Sequence, residues 1–289
     1  KWPKVHQYPA RILGGPEHQP ELGAFRDGSE VRAVALTGME PPGEPFTFPE
    51  AGPRRDHAYP VVRGELNVAI LVAGGIAPGI NAVIDALVQR HAAYRRVSSN
   101  RGPNYTVKIW GIRNGFLAIE GPGGIADRLV ELRPEDTNEF ATQGGSVIGT
   151  SRDKEILDIG SRNVRLSQIS DALSQQGRMI DILYVIGGDG SMKAAHALWH
   201  MANRNALRVR TGRKMAVVTI PKTMDNDILW VWKSFGFLSA VDESRRIVET
   251  LHTEVRSNPR LGILQLFGSD SGFVVSHAVL ASAARHAML

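Results

Sequence analysis

From residue 66 onward, apolar runs end repeatedly in glycine. Leu66–Ala73 is an apolar run interrupted only by Asn67, and Gly74-Gly75-Ile76-Ala77-Pro78-Gly79-Ile80-Asn81 breaks it. Ala82–His91 then has helical spacing, with Val83, Leu87 and the stem of Arg90 on one side. A second strand is expected at Thr106–Ile112. The run from Ile180 ends in Gly187-Gly188-Asp189-Gly190-Ser191 and leads into a helix over Met192–Met201. A fourth strand, Met215–Ile220, precedes Pro221-Lys222-Thr223-Met224-Asp225-Asn226-Asp227. Phe237–His252 is amphipathic at helical period, and Leu261–Phe267 reads as a fifth strand. Apolar strands alternating with helices specify an α/β fold, a parallel sheet flanked by helices on both faces. Ligands of such sheets gather beyond the carboxyl ends of the strands, and each glycine break falls at that kind of edge.

Residues 1–60 differ. They hold ten of the 16 prolines and no sustained period, so an extended arm or a small irregular subdomain is expected there. The alternating pattern occupies the remainder of the chain.

Composition narrows the function classes. The 289 residues are 43% hydrophobic and 22% charged, as in ordinary globular proteins. No window approaches the run of about 18 apolar residues that a membrane span requires, so no membrane partner is expected. The chain opens on Lys1 without a signal-type segment, which reads as a trimmed or processed start. The absence of cysteine removes disulfides and thiolate metal sites and fits a cytoplasmic protein. The net charge of +5 resides after residue 60 and suits an anionic ligand. Its arginines are scattered and no zinc-finger or RNA-binding aromatic motif appears, so nucleic acid is not the expected partner.

The glycine breaks carry the candidate chemistry. Gly74, Gly75 and Gly79 let backbone N–H groups approach an anion at a helix N-terminus; ordinary strand-to-helix turns use glycine in the same way. In Gly187–Ser191, Asp189 is placed to hold Mg²⁺, Gly190 leaves room for a ligand, and Ser191 can donate to phosphate; a capped helix is the alternative. Gly144-Gly145-Ser146-Val147-Ile148-Gly149-Thr150-Ser151-Arg152 ends in a guanidinium that can grip phosphate or simply face solvent. After Pro221, Lys222 can neutralise a phosphoryl group, Thr223 can contact one, Asp225 can accept a hydroxyl proton, and Asp227 can hold metal or restrain Asp225. The competing reading is a polar turn with Asn226 in a tight bend. An aspartate pKa of about 3.9 is low for a base. Phosphoryl transfer tolerates this, because its loose transition state relies on positioning and electrostatics. His196 and His200 lie four apart, yet residue 197 is alanine and no third ligand is evident, so they read as ordinary helix residues. Trp230 and Trp232 read as packing or subunit contacts.

These motifs, in this order, resemble the phosphofructokinase family over roughly residues 66–285. GGIAPGIN is similar to its first phosphate loop, GGSVIGTSR to its arginine loop, IGGDGS to its metal and nucleotide loop, and PKTMDND to its catalytic loop; SFGFLSAVD and LQLFGSDSGF follow in place. The resemblance implies a Rossmann-like fold in which residues 61–255 bind the phosphoryl donor and residues 256–289 begin the sugar-phosphate domain, a second α/β domain only partly present. It implies Asp225 as proton acceptor for the 1-hydroxyl of fructose 6-phosphate, assisted by Lys222, Thr223 and Asp227. Thr223, Asp225 and Gly268 are implied at the sugar phosphate, Asp189 at Mg²⁺, and Gly74, Gly75, Arg152, Gly188, Gly190 and Ser191 at the donor. The implied product is fructose 1,6-bisphosphate, and the implied assembly a homo-oligomer, dimer or tetramer. Gly190 goes with ATP in this family and Lys222 with pyrophosphate; the long-chain ATP-dependent branch resembles the combination, which favours ATP. Two departures stand out. Ser269 replaces an arginine that contacts phosphate, a loss worth about 2–4 kcal/mol of transition-state stabilisation. The chain also stops at Leu289, before the family's remaining sugar contacts, as expected of a fragment or of a non-catalytic regulatory subunit.

Overall fold

The computed structural model describes residues 30–32, 47–49 and 64–282, apart from 100–104, 121–122, 159, 176, 229–230 and 269–270. The chain divides into two compact units, residues 1–65 with 90–106 and residues 66–89 with 107–289. In the first, β1 (Glu30–Arg32) pairs antiparallel with β2 (Thr47–Pro49). The rest of the segment expected to be an arm or irregular subdomain over residues 1–60 lies outside the described residues.

The apolar runs become the strands of one sheet. In chain order the elements are β3 (Gly64–Val72), α1 (Ile80–Ser99), β4 (Tyr105–Ile112), β5 (Leu129–Glu131), α2 (Pro134–Asn138), α3 (Lys154–Leu157), α4 (Arg162–Leu173), β6 (Ile182–Gly187), α5 (Asp189–Ala202), α6 (Ala206–Thr211), β7 (Ala216–Pro221), α7 (Phe237–Ser257) and α8 (Phe273–Leu280). The five strands are ordered β5-β4-β3-β6-β7. β3 runs parallel to β6 and β6 to β7, while the short edge strand β5 is antiparallel to β4. Helices flank the sheet, so the expected α/β class holds, with β5 as an antiparallel addition that its three residues gave no periodicity to reveal.

β3 is central and covered on both faces. Ala69, Leu71 and Ala73 join the core formed with β6, α4 and α5, and the alternate residues Val68, Ile70 and Val72 are equally buried. Each fully buried aliphatic side chain contributes about 1.5–3 kcal/mol. α5 packs on β6 and β7 and α4 on α5. β7 departs from expectation, because it is the edge strand of the described sheet and leaves Val218 exposed.

At the amino ends of the strands, Asp181 accepts from the Asn67 amide at 2.9 Å and from Arg213 at 2.9 and 2.5 Å, and Asn67 Oδ1 accepts from the Trp110 indole at 2.9 Å. This polar lock ties β3, β4 and β6 together at the end away from the glycine breaks.

The strand expected at Leu261–Phe267 does not form. A strand needs a neighbour for its N–H and C=O groups, and no described strand pairs with this segment. It runs irregularly past α7, where a Cβ on Gly262 would meet the Leu251 side chain at 3.0 Å, and Leu261, Ile263 and Phe267 stay exposed. After it, α8 packs on α7 through Phe237, Val241 and Val274.

Candidate active site

The carboxyl ends of β3, β6 and β7 release three loops toward one place. After β3, Ala73 forms a parallel bridge with Ser151, and the Gly74 amide donates to the Ser151 carbonyl at 2.8 Å. Thr150 Oγ1 donates back to the Gly74 carbonyl at 2.8 Å. Gly74 has φ 86, a conformation that a side chain would strain. Asn81, at the start of α1, donates to the Gln143 and Gly144 carbonyls at 3.0 and 3.4 Å and accepts from the Val147 amide at 2.8 Å. The loop that ends in Arg152 is thereby pinned to the first glycine loop. Asp153, next in sequence, is held by the buried Arg165 of α4 at 2.7 Å.

After β6 the chain turns directly into α5. A Cβ on Gly187 would stand 2.5 Å from the Ser191 Cβ, so only glycine lets the helix start so close to the strand. Gly188 caps α5 and Asp189 occupies its first turn, at the positive end of the helix dipole. The Asp189 carboxylate is more than half exposed and pairs with Lys193 at 2.6 Å. After β7, the Lys222 amide donates to the Gly187 carbonyl at 3.0 Å, and the Asp225 amide donates to Thr223 Oγ1 at 3.1 Å.

These loops enclose a cavity of about 650 Å³. Gly74, Gly75, Arg152 and Lys222 line it together; Gly188, Asp189, Gly190 and Ser191 line the α5 side, and Thr223, Asp225, Asp227 and Gly268 also border it. The residues implied at the donor, metal, sugar-phosphate and catalytic positions all border this one space, whereas Gly79 of the first glycine loop does not. Lys222 is buried, donates to the Gly75 carbonyl, and lies so close to the loop that a Cβ on Gly74 would meet Nζ at 3.4 Å. Burial, and then the positive charge of Arg152, pull its pKa from 10.5 down to about 8. Two cations held this near each other form a place for a multiply charged anion. Asp189, Asp225 and Asp227 supply hard oxygen donors of the kind Mg²⁺ takes. Among the described residues no group of three or more His, Cys, Asp or Glu could hold a metal by itself. A Mg²⁺ ion there would take carboxylate oxygen from one of these aspartates and its remaining donors from phosphate and water.

Sequence reasoning missed Phe116, Ser151, Asp153 and Ile156, which also line the cavity. Phe116 lies just past the carboxyl end of β4, an edge where the sequence offers no glycine cluster. Asp153 adjoins Arg152, and that adjacency was the available signal. His196 and His200 are exposed on α5 and stand apart from the cavity lining. Trp232 is exposed, and Trp230 and Ser269 lie outside the described residues.

Fold and cavity together define an α/β protein that collects its charged chemistry past the ends of parallel strands. The chain belongs to the phosphofructokinase family, whose model, described as Phosphofructokinase, matches residues 67–289. It is 35% identical over 240 residues to an ATP-dependent 6-phosphofructokinase of Amycolatopsis methanolica, covering 82% of this chain and 45% of the relative. It is also 35% identical over 284 residues to ATP-dependent 6-phosphofructokinase 7 of Arabidopsis thaliana, covering 97% and 51%. The chain thus spans about half the length of these curated relatives. Among solved structures, phosphofructokinase from Saccharomyces cerevisiae matches with a TM-score of 0.59 at 21% identity, over 74% of this chain and 28% of that one. A pyrophosphate-dependent phosphofructokinase from Marinobacter aquaeolei matches with a TM-score of 0.57 at 19% identity, over 76% and 50%. At these identities the structural likeness concerns the fold.

Proposed function

We propose that the chain carries the phosphotransfer site of a cytoplasmic, homo-oligomeric 6-phosphofructokinase, which moves the γ-phosphoryl group of ATP to the 1-hydroxyl of fructose 6-phosphate and yields fructose 1,6-bisphosphate. The observation that carries this reading is the convergence of Arg152, Lys222, Gly74 and Asp225 on one cavity. Arg152 and Lys222, with the backbone of Gly74, Gly75, Gly188, Gly190 and Ser191, bind and orient the donor phosphates. Asp189 would hold Mg²⁺, which supplies neutralisation of phosphate charge when bound. Asp225 takes the proton of the 1-hydroxyl as its oxygen bonds the γ-phosphorus, the bond from that phosphorus to the β-phosphate oxygen breaks, and ADP leaves. Asp227 restrains Asp225, and Thr223 and Gly268 meet the sugar phosphate. Positioning and electrostatics supply most of the rate in such a reaction.

ATP is favoured as donor by the relatives, both named ATP-dependent. Lys222 supports pyrophosphate as the second reading, since a buried cation beside Arg152 suits a compact polyanion. Ser269 supports a third, a regulatory subunit that keeps the fold without the rate. Initial rates with fructose 6-phosphate and Mg²⁺, using ATP or pyrophosphate in turn, separate the three. Faster turnover with ATP is expected. Turnover with pyrophosphate alone contradicts the donor, and turnover with neither contradicts the enzyme.

A further inference from the structure

The stretch that follows the Pro221–Asp227 motif folds back on it. Asn226 has φ 55, in the left-handed region that asparagine tolerates better than most residues. It is 9% exposed and stands apart from the cavity lining, whereas its neighbours Asp225 and Asp227 both border the cavity. Asn226 Nδ2 donates to the Trp232 carbonyl at 3.1 Å, and Oδ1 accepts from the Ser234 amide at 2.8 Å. The Ser234 hydroxyl donates to the Thr223 carbonyl and so closes the strap onto its own start. One residue further, Phe235 forms a parallel bridge with Lys222, and its ring lies 3.4 Å from where a Cβ on Gly79 would stand. The strap thus runs between the aspartate motif and the first glycine loop, and the buried Asn226 side chain is its clasp.

We infer that Asn226 is a positioning residue, whose clasp on Trp232 and Ser234 holds Asp225 and Asp227 on one side of the cavity. A left-handed residue turns the chain sharply, so both flanking carboxylates face the cavity while Asn226 faces the strap. The left-handed turn sets the direction of the chain, and the two side-chain hydrogen bonds anchor that turn to residues 232 and 234. This inference rests on the phosphotransfer reading of the cavity.

Two variants of the full chain separate the clasp from the turn. Asn226→Gly keeps the left-handed turn and removes the clasp, while Asn226→Ala removes the clasp and strains the turn. Both are expected to lower kcat roughly 100-fold, as an ångström-scale misplacement does, with KM for ATP and fructose 6-phosphate little changed. Both variants lower the melting temperature, and Asn226→Ala lowers it further because it also strains the turn. Amide hydrogen exchange accelerates over residues 223–235 in both. A wild-type kcat in Asn226→Gly overturns the inference, as does a rate loss accompanied by faster exchange throughout the sheet. If the wild-type chain turns over neither donor, the phosphotransfer reading falls and exchange alone decides. Acceleration confined to residues 223–235 then upholds the clasp, and unchanged exchange overturns it.

Discussion

Lys222 is the residue at which burial and charge oppose each other. It is 4% exposed, and burial together with Arg152 lowers its pKa to about 8. The folded value lies below the unfolded one, so between pH 8 and 10.5 the unfolded chain binds more protons and stability rises with pH. Below that window the protonated lysine costs stability. A polyphosphate beside Nζ favours the charged form, so ATP binding near pH 8 should be accompanied by proton uptake. Calorimetry in buffers of different ionisation enthalpy reads this directly. Lys222→Met should abolish the uptake, raise the melting temperature at pH 7 and weaken ATP binding. Buffer-independent heats in the wild type would contradict this account. The sequence marked Lys222 as a phosphate cation, because an apolar strand rarely ends in such charge. It could not show that Nζ reaches the Gly75 carbonyl, a contact across 147 positions that exists only once β3 and β7 flank β6.

At the scale of elements, the active-site loops depend on clips between segments distant in sequence. Asn81 is the clearest, with three hydrogen bonds to the loop that ends in Arg152. Asn81→Ala should leave the Val147 amide without its acceptor, at a cost of about 1–3 kcal/mol. The freed loop should raise KM for ATP more than it lowers kcat, because Arg152 is assigned to the donor. Denaturant titration and steady-state kinetics measure the two effects; an unchanged KM would show that the clip does not position Arg152. Strands β3, β4, β6 and β7 were legible because each is an apolar run closed by a turn or by polar residues. Helix α4 was not, since its sequence RNVRLSQISDAL carries few apolar residues and two of its buried ones are Arg165 and Ser170. The run Leu261–Phe267 was misread for the opposite reason. Apolar sequence shows that a segment seeks cover, and the ladder that makes it a strand must come from another segment.

On the scale of the whole molecule, the parallel sheet brings together residues scattered from Gly74 to Gly268. Local motifs identified them one loop at a time, and the rule that ligands gather at the carboxyl ends of parallel strands predicted their meeting. The apolar contributors to the cavity, Phe116 and Ile156, escaped because nothing local distinguishes them from core, and Asp153 because its one local signal was adjacency to Arg152. The central claim is that this cavity transfers phosphate through Asp225. Its most direct test is fructose 1,6-bisphosphate formation from Mg²⁺-ATP and fructose 6-phosphate, compared between the wild-type protein and Asp225→Ala. The account predicts product with the wild type and a loss of roughly 100-fold or more in kcat with Asp225→Ala, the scale of general-base removal, while ATP affinity and melting temperature stay near wild type. An Asp225→Ala protein that forms product at the wild-type rate would contradict it.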